Sequence, residues 1–199
     1  TATLDMQSAF KYARLLWDEG EHQQAKEHFT FAAKQGHAQA EKALEAVQLY
    51  TPYTLGQLAS QPTPPTWLDN PDCLQRIQPF ATSLATIMRA HSLYSSFKAD
   101  TRLQALSICL AKPIWLQADA LNCHPNYQNT GVLGCNITPL SNIAKKHKFS
   151  HAVVVSEQGK ANVQNGVMYL DISDAYSVFV HELAHFAGFA DEYPIGRSM

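Results

Sequence analysis

The sequence predicts an α+β domain with a small mixed sheet and a final helix, preceded by an all-α segment. Three observations carry that expectation. Apolar residues recur at helical spacing through residues 1–50, a proline-rich stretch at 51–71 breaks the pattern, and helical and strand-like pieces alternate from 72 to 199. The expected organisation is therefore a helical segment at 1–50, a linker lying on the surface at 51–71, and a second domain at 72–199.

In the first segment Phe10, Ala13, Leu16 and Trp17 share one helical face, and Gly20 follows as a C-terminal glycine would. Ala25, Phe29, Ala32 and Ala33 form a second stripe ended by Gly36, and Ala40, Ala43, Leu44 and Val47 form a third. Small alanines let helices approach closely, which suits an antiparallel hairpin. Pro52, Pro62, Pro64, Pro65 and Pro71 then interrupt any helix.

Leu74, Ile77, Phe80, Ala81, Leu84, Ile87 and Met88 predict a long core helix over 73–98, with Pro79 either kinking it or marking its true start. Leu106–Leu110 alternates like a strand, and Pro113–Leu116 extends that sheet. A short helix is expected within 137–147. His151–Val155 reads as a strand, because its consecutive valines favour a buried pleated surface. Residues 159–165 are polar and read as a turn. Asn165-Gly166 is a hairpin signal before a strand at Val167–Asp171, and Asp174 is the expected N-cap of a helix at about 175–187.

Composition excludes several classes. The chain has 199 residues, 46% hydrophobic and only 16% charged, with a formal net charge of −2. A core is affordable, a disordered tail is not indicated, and no basic stripe suggests nucleic-acid binding. No apolar run approaches the roughly 18 residues of a membrane span. Cys73, Cys109, Cys123 and Cys135 form no C-x-x-C pair, so two disulfides are expected over a metal knuckle. Three pairings are open, one of which staples Cys123 to Cys135, and four reduced buried thiols are the alternative. With an opening Thr1 that fits a trimmed leader, disulfides imply an extracytoplasmic place: periplasm, cell surface or medium.

The decisive stretch is His181-Glu182-Leu183-Ala184-His185-Phe186-Ala187-Gly188-Phe189-Ala190-Asp191-Glu192-Tyr193. Histidines four apart on a helix place both imidazoles on one face, spaced to grip one metal ion. Imidazole suits Zn²⁺, whose catalytic sites take three protein ligands and leave one position for water. Glu182 projects towards that position as a general base. Gly188 can end the helix in a left-handed conformation and turn the chain, bringing Asp191 in as the third ligand. By composition H-E-x-x-H arises by chance in about one such chain in 60, and with Gly188 and Asp191 at their offsets in roughly one in 30,000. His151 and then Glu192 are the fallback ligands; His124 and His147 lack a spaced partner.

These residues resemble the metzincin zinc peptidases, whose motif is H-E-x-x-H-x-x-G-x-x-H. The snapalysin-like branch has Asp in the last place and a Tyr two residues later, places filled here by Asp191 and Tyr193. The Asp-Glu-Tyr ending also looks like that of IgA-peptidase-type bacterial enzymes. The resemblance implies a zincin-like fold with an active-site helix, a Tyr193 hydroxyl that steadies the oxyanion, and a methionine turn for which Met199 is the available residue. It also implies that the strand before the helix, Val167–Asp171, is a sheet edge to which an extended polypeptide substrate adds. Separately, Ala9–Leu44 resembles one SEL-type repeat, a relative of the tetratricopeptide repeat, on Ala13, Leu16, the Trp17–Gly20 turn, Ala25, Phe29 and the run Ala32–Ala38. Such repeats bind other proteins, so the first helices are either a docking module or a cap.

The leading expectation is a zinc metallopeptidase using His181, His185 and Asp191 as ligands and Glu182 and Tyr193 in catalysis. The alternatives are a protein-interaction module with a structural or inactive metal site, and a zinc amidase acting on cell-wall peptides.

Overall fold

The computed structural model describes residues 5–63, 67 and 70–189. The chain divides into two compact units, Thr1–Pro52 and Tyr53–Met199.

The first unit holds α1 (Met6–Asp18), α2 (His22–Lys34) and α3 (Ala38–Leu49). The Asp5 carboxylate caps α1 by accepting the Ser8 N–H at 2.9 Å. Gly20 and Gly36 end the first two helices in the left-handed region, at φ 86° and 87°. The contact faces are made largely of alanine: Ala9 and Ala13 of α1, Ala25 and Ala32 of α2, and Ala40, Ala43 and Ala46 of α3 are all buried. Phe29 fills the space these small residues leave.

The second unit runs α4 (Leu55–Ser60), β1 (Gln75–Ala81), α5 (Leu84–Ala99), β2 (Ile108–Leu110), β3 (Ile114–Trp115), α6 (Leu140–His147), β4 (His151–Ser156), β5 (Asn162–Gln164), β6 (Val167–Asp171) and α7 (Tyr176–Phe186). It is α+β, with one six-stranded mixed sheet in the order β2-β1-β4-β6-β5, and with β3 following β2 alongside β1. Every pairing is parallel except β5 with β6. Phe80, Ala152, Val154, Val167 and Tyr169 turn to one face, where they pack with Leu58 of α4 and Leu140 and Ile143 of α6. Alternation sends Val153, Val155, Met168 and Leu170 to the other face. There His151 meets Phe186 of α7 at 4.4 Å between ring centroids, and Phe97 of α5 meets Phe179 of α7. Burial on both faces explains the near-continuous apolar runs of β4 and β6.

In the sheet and the segments that flank it the structure departs from the sequence reading in four places, and a fifth lies at the start of α7. The expected helix over 73–98 is a strand and then a helix. Ile77, Phe80 and Ala81 suit either periodicity, and a short apolar run does not choose between them. The boundary is the Ser83–Thr86 capping box, which opens α5 at Leu84. Pro79 neither kinks nor starts that helix. The Ile77 and Ala81 carbonyls accept the Ala111 and Leu116 N–H groups on the β2/β3 side. Pro79, two residues from each, points to the same side and faces the gap between those two strands, so its missing N–H breaks no ladder bond. Its carbonyl accepts the Gln78 side-chain amide at 3.1 Å.

Second, the stretch read as a surface linker contributes to the core. Thr54 and Gln57 form a capping box that starts α4, Leu58 is 1% exposed, and the Trp67 indole donates to the His147 carbonyl at 2.7 Å. Third, 162–164 is a strand rather than a turn. It forms a hairpin with β6 through Asn165 and Gly166, whose φ values of 51° and 76° are those of a two-residue primed turn. Fourth, β6 is not a sheet edge: it lies between β4 and β5, and the edge is β5.

Both disulfides are present, Cys73–Cys109 and Cys123–Cys135. The first ties the entry of β1 to β2, and the second staples the loop over 123–135. Among the described residues no helix is long and apolar enough to cross a membrane.

Because Leu58 is enclosed by Leu116, Leu133 and Ile143 of one core cluster, Leu58→Ala is expected to destabilise the second unit by about 2–5 kcal/mol. Urea unfolding measures this. A loss within about 0.5 kcal/mol would return residues 55–60 to the surface.

Candidate metal centre

The centre is built on α7, whose eleven residues would be marginal as an isolated helix. Its N-terminus is held by side chains of other elements. The Tyr176 hydroxyl donates to Asp100 Oδ2 at 3.1 Å, and the Arg89 guanidinium donates to the Asp174 carbonyl. The N-cap is Ala175, with no side-chain cap bond. Asp174, expected in that role, turns back instead and accepts the Asp171 N–H at 2.7 Å. Asp171 in turn accepts from Ser173 N–H and Oγ, from the Asp174 N–H and from the Gly159 N–H. Burial raises the Asp171 pKa, but these donors outweigh it and hold the carboxyl below its ordinary value. Burial raises the Asp174 pKa, against the pull of the Asp171 N–H and Arg89.

The other end is closed by Gly188 at φ +86°. The Phe189 N–H bonds the Ala184 carbonyl at 3.1 Å and the Gly188 N–H bonds the His185 carbonyl at 3.0 Å, the pairing of a Schellman motif. Gln75 donates to the Phe186 carbonyl at 2.9 Å from the start of β1. With Phe179 and Leu183 buried beneath it, the helix has one rotational setting.

That setting brings His181, Glu182 and His185 together, with ligand atoms all within 4.8 Å of one another. The two imidazole centroids are 5.1 Å apart and nearly perpendicular. His185 Nδ1 lies 2.8 Å from the Phe189 carbonyl. A carbonyl only accepts, so Nδ1 carries a proton, and Nε2 is the ring nitrogen that faces the group, 3.9 Å from Glu182 Oε2. Metal-binding histidines are oriented by this kind of backbone bond. Glu182 is 8% exposed and His181 is exposed, so the carboxylate sits at the base of the group and an imidazole at its mouth. The three residues could hold a metal ion. Comparison with protein families, curated proteins and solved structures found no match.

Of the residues singled out in the sequence, Asp191, Glu192, Tyr193 and Met199 lie outside the described residues. The fallback ligand His151 stands apart from the group. It packs on Phe186, its Nδ1 lies 2.9 Å from Ser150 Oγ, and burial lowers its pKa. His147 is buried at the end of α6, with Nε2 3.2 Å from the Leu58 carbonyl.

The group opens into a cleft of about 910 Å³ lined by Val132, Lys160–Val163, Asp174, His181, Glu182, His185, Gly188 and Phe189. One wall is α7; the other is β5 and the loop before it, backed by the stapled loop. Sequence reasoning missed this second wall. Its one available signal was Asn165-Gly166, which demands a partner strand on both sides.

The Tyr176–Asp100 contact is a handle on α7. Burial first, and then the bond to Asp100, push the Tyr176 phenol up to about 12. A raised pKa means stabilisation that is complete below the ordinary tyrosine value and lost as pH climbs towards about 12. Ultraviolet titration is expected to show Tyr176 ionising that late; burial raises Tyr169 as well. Tyr176→Phe should abolish this component and lower the unfolding midpoint. A variant that retains the late component would assign it to another residue.

Proposed function

We propose that the chain is a zinc-dependent metallopeptidase. One observation carries the reading: two imidazoles and a carboxylate of one helix face converge beside an open cleft whose far wall is a strand edge. Nitrogen donors with a nearby carboxylate suit zinc, and the His185 Nδ1–H held on a backbone carbonyl leaves Nε2 ready to bind. His181 and His185 would be two ligands. Asp191, six residues beyond, is assigned as the third by its offset in the sequence, and Tyr193 as the donor to the developing oxyanion.

Bound zinc would supply Lewis acidity, acidifying water and polarising a carbonyl. Glu182 takes one proton from water as its oxygen adds to the scissile carbonyl carbon. It then returns that proton to the departing amine as the C–N bond breaks.

An extended polypeptide would add to β5 rather than β6. In a two-residue hairpin Gln164 and Val167 form the hydrogen-bonded pair, so the next pair, Val163 with Met168, does not bond across the ladder. The Val163 N–H and C=O therefore point outwards into the cleft. The open shape favours a polymer over a small amide. The two disulfides favour an extracytoplasmic location.

Elemental mass spectrometry of dialysed protein is expected to find about one zinc per chain. His181→Ala and His185→Ala should lose it, and Asp191→Ala should hold it more weakly. Glu182→Ala should keep zinc while hydrolysis of a casein-type substrate falls by about 10²–10⁴. Full turnover in that variant, or no metal uptake by the wild type, would sink the proposal.

A further inference from the structure

The cleft has an asymmetry of charge that zinc chemistry does not use. Lys160 is the only lysine or arginine among its described lining residues. Its acidic neighbours there have other roles: Glu182 belongs to the metal-binding group, and Asp174 accepts the Asp171 N–H and is attracted to Arg89. Among the described residues no carboxylate lies within ion-pair distance of the Lys160 ammonium. Its side chain is exposed.

The backbone at this position is built rather than loose. On one side Gly159 has φ +141°, and a Cβ there would stand 2.8 Å from the Leu133 Cβ, so the loop is pressed against the stapled lobe. The Gly159 N–H bonds the Asp171 carboxylate at 3.2 Å. On the other side the Asn162 amide donates to the Lys160 carbonyl at 3.0 Å and to the Leu133 carbonyl at 2.9 Å. Lys160 is thus fixed to the β6–α7 connection and to the Cys123–Cys135 loop. Only its side chain is left to move, along the same wall as the outward-facing Val163.

We infer that Lys160 is a specificity residue, selecting peptides that carry an Asp or Glu side chain close to the bond that is cut. The inference rests on the peptidase reading. Strand residues rise about 3.3 Å each, so a chain lying on β5 passes the Lys160 ammonium within roughly three or four residues of Val163. A partly solvated lysine–carboxylate pair changes affinity by about twofold to fivefold, and a charge reversal acts twice. The attraction between the Lys160 ammonium and a peptide carboxylate is local and weakens as salt is added.

The test uses fluorogenic peptides of one scaffold with Glu, Ala or Lys at successive positions, cut by wild type, Lys160→Gln and Lys160→Glu. Lys42→Glu, in the first unit, makes the same change in net charge elsewhere. At one position wild type should prefer Glu over Lys by about fivefold in kcat/KM. Lys160→Gln should flatten that preference, Lys160→Glu should invert it, and Lys42→Glu should leave it in place. Zinc content should be equal in all. A Glu-over-Lys ratio unchanged in Lys160→Glu overturns the inference while leaving the peptidase standing. If wild type cuts no peptide, the peptidase reading fails instead. The anisotropy of the labelled Glu peptide on the Glu182→Ala protein, with and without Lys160→Glu, still decides the role of Lys160. Equal binding overturns it, and weaker binding with Lys160→Glu supports it.

Discussion

Two imidazoles four residues apart share a face only as long as the helix between them keeps one rotation about its axis. That constraint organises the second unit. The same turns of α7 must send His181 and His185 to the cleft and Phe179 and Leu183 into the core. A rotation of a few tens of degrees would spoil both. The helix is too short to hold itself, so its setting is imposed by other elements: Asp100 and Phe97 from the end of α5, Arg89 from the middle of α5, and Gln75 from the start of β1. The carbonyl released by the Gly188 turn then fixes the ring of His185. Local helix geometry supplies the spacing, and long-range contacts supply the direction.

The sheet has a similar division of labour. Its parallel part is covered on both faces and forms a rigid floor. The one antiparallel strand, β5, is short and polar, as edges that avoid aggregation tend to be. It is placed by a hairpin whose turn residues both need positive φ. The stapled loop then leans on it through Leu133 and Asn162. The opposite wall of the cleft therefore depends on a disulfide, a glycine contact and a side-chain amide. None of these lies near the metal-binding residues in sequence.

Much of the fold could be read in advance where periodicity was strong and flanked by punctuation. The three helices ended by Gly20, Gly36 and the break before Pro52 lie where their stripes indicate, and β4 and β6 lie where their valines and the Asn165-Gly166 turn indicate. Reading failed where a residue's partner was distant. The run Ile77–Ala81 carries both periodicities, and only its placement between β2/β3 and β4 makes it a strand. Pro79 is tolerated because its donor side meets a gap between two neighbouring strands. Leu58 and Trp67 are drawn into the core by α6, a contact that the proline content around them conceals. Asp174 is a good cap by composition, but the Asp171 N–H competes for its carboxylate.

By itself the sequence determined the helical spacing of His181, Glu182 and His185, the glycine that ends their helix, and the even set of cysteines. These are properties of neighbouring residues, set by bond geometry and backbone preference. Tertiary structure decided which cysteines pair, which strand forms the edge and which way the imidazoles face. It also decided that Lys160 shares a cleft with residues of α7, which follow it in the chain only after the β5–β6 hairpin. Those outcomes depend on burial and on hydrogen bonds between segments far apart in sequence, and such energies do not exist until the chain has packed.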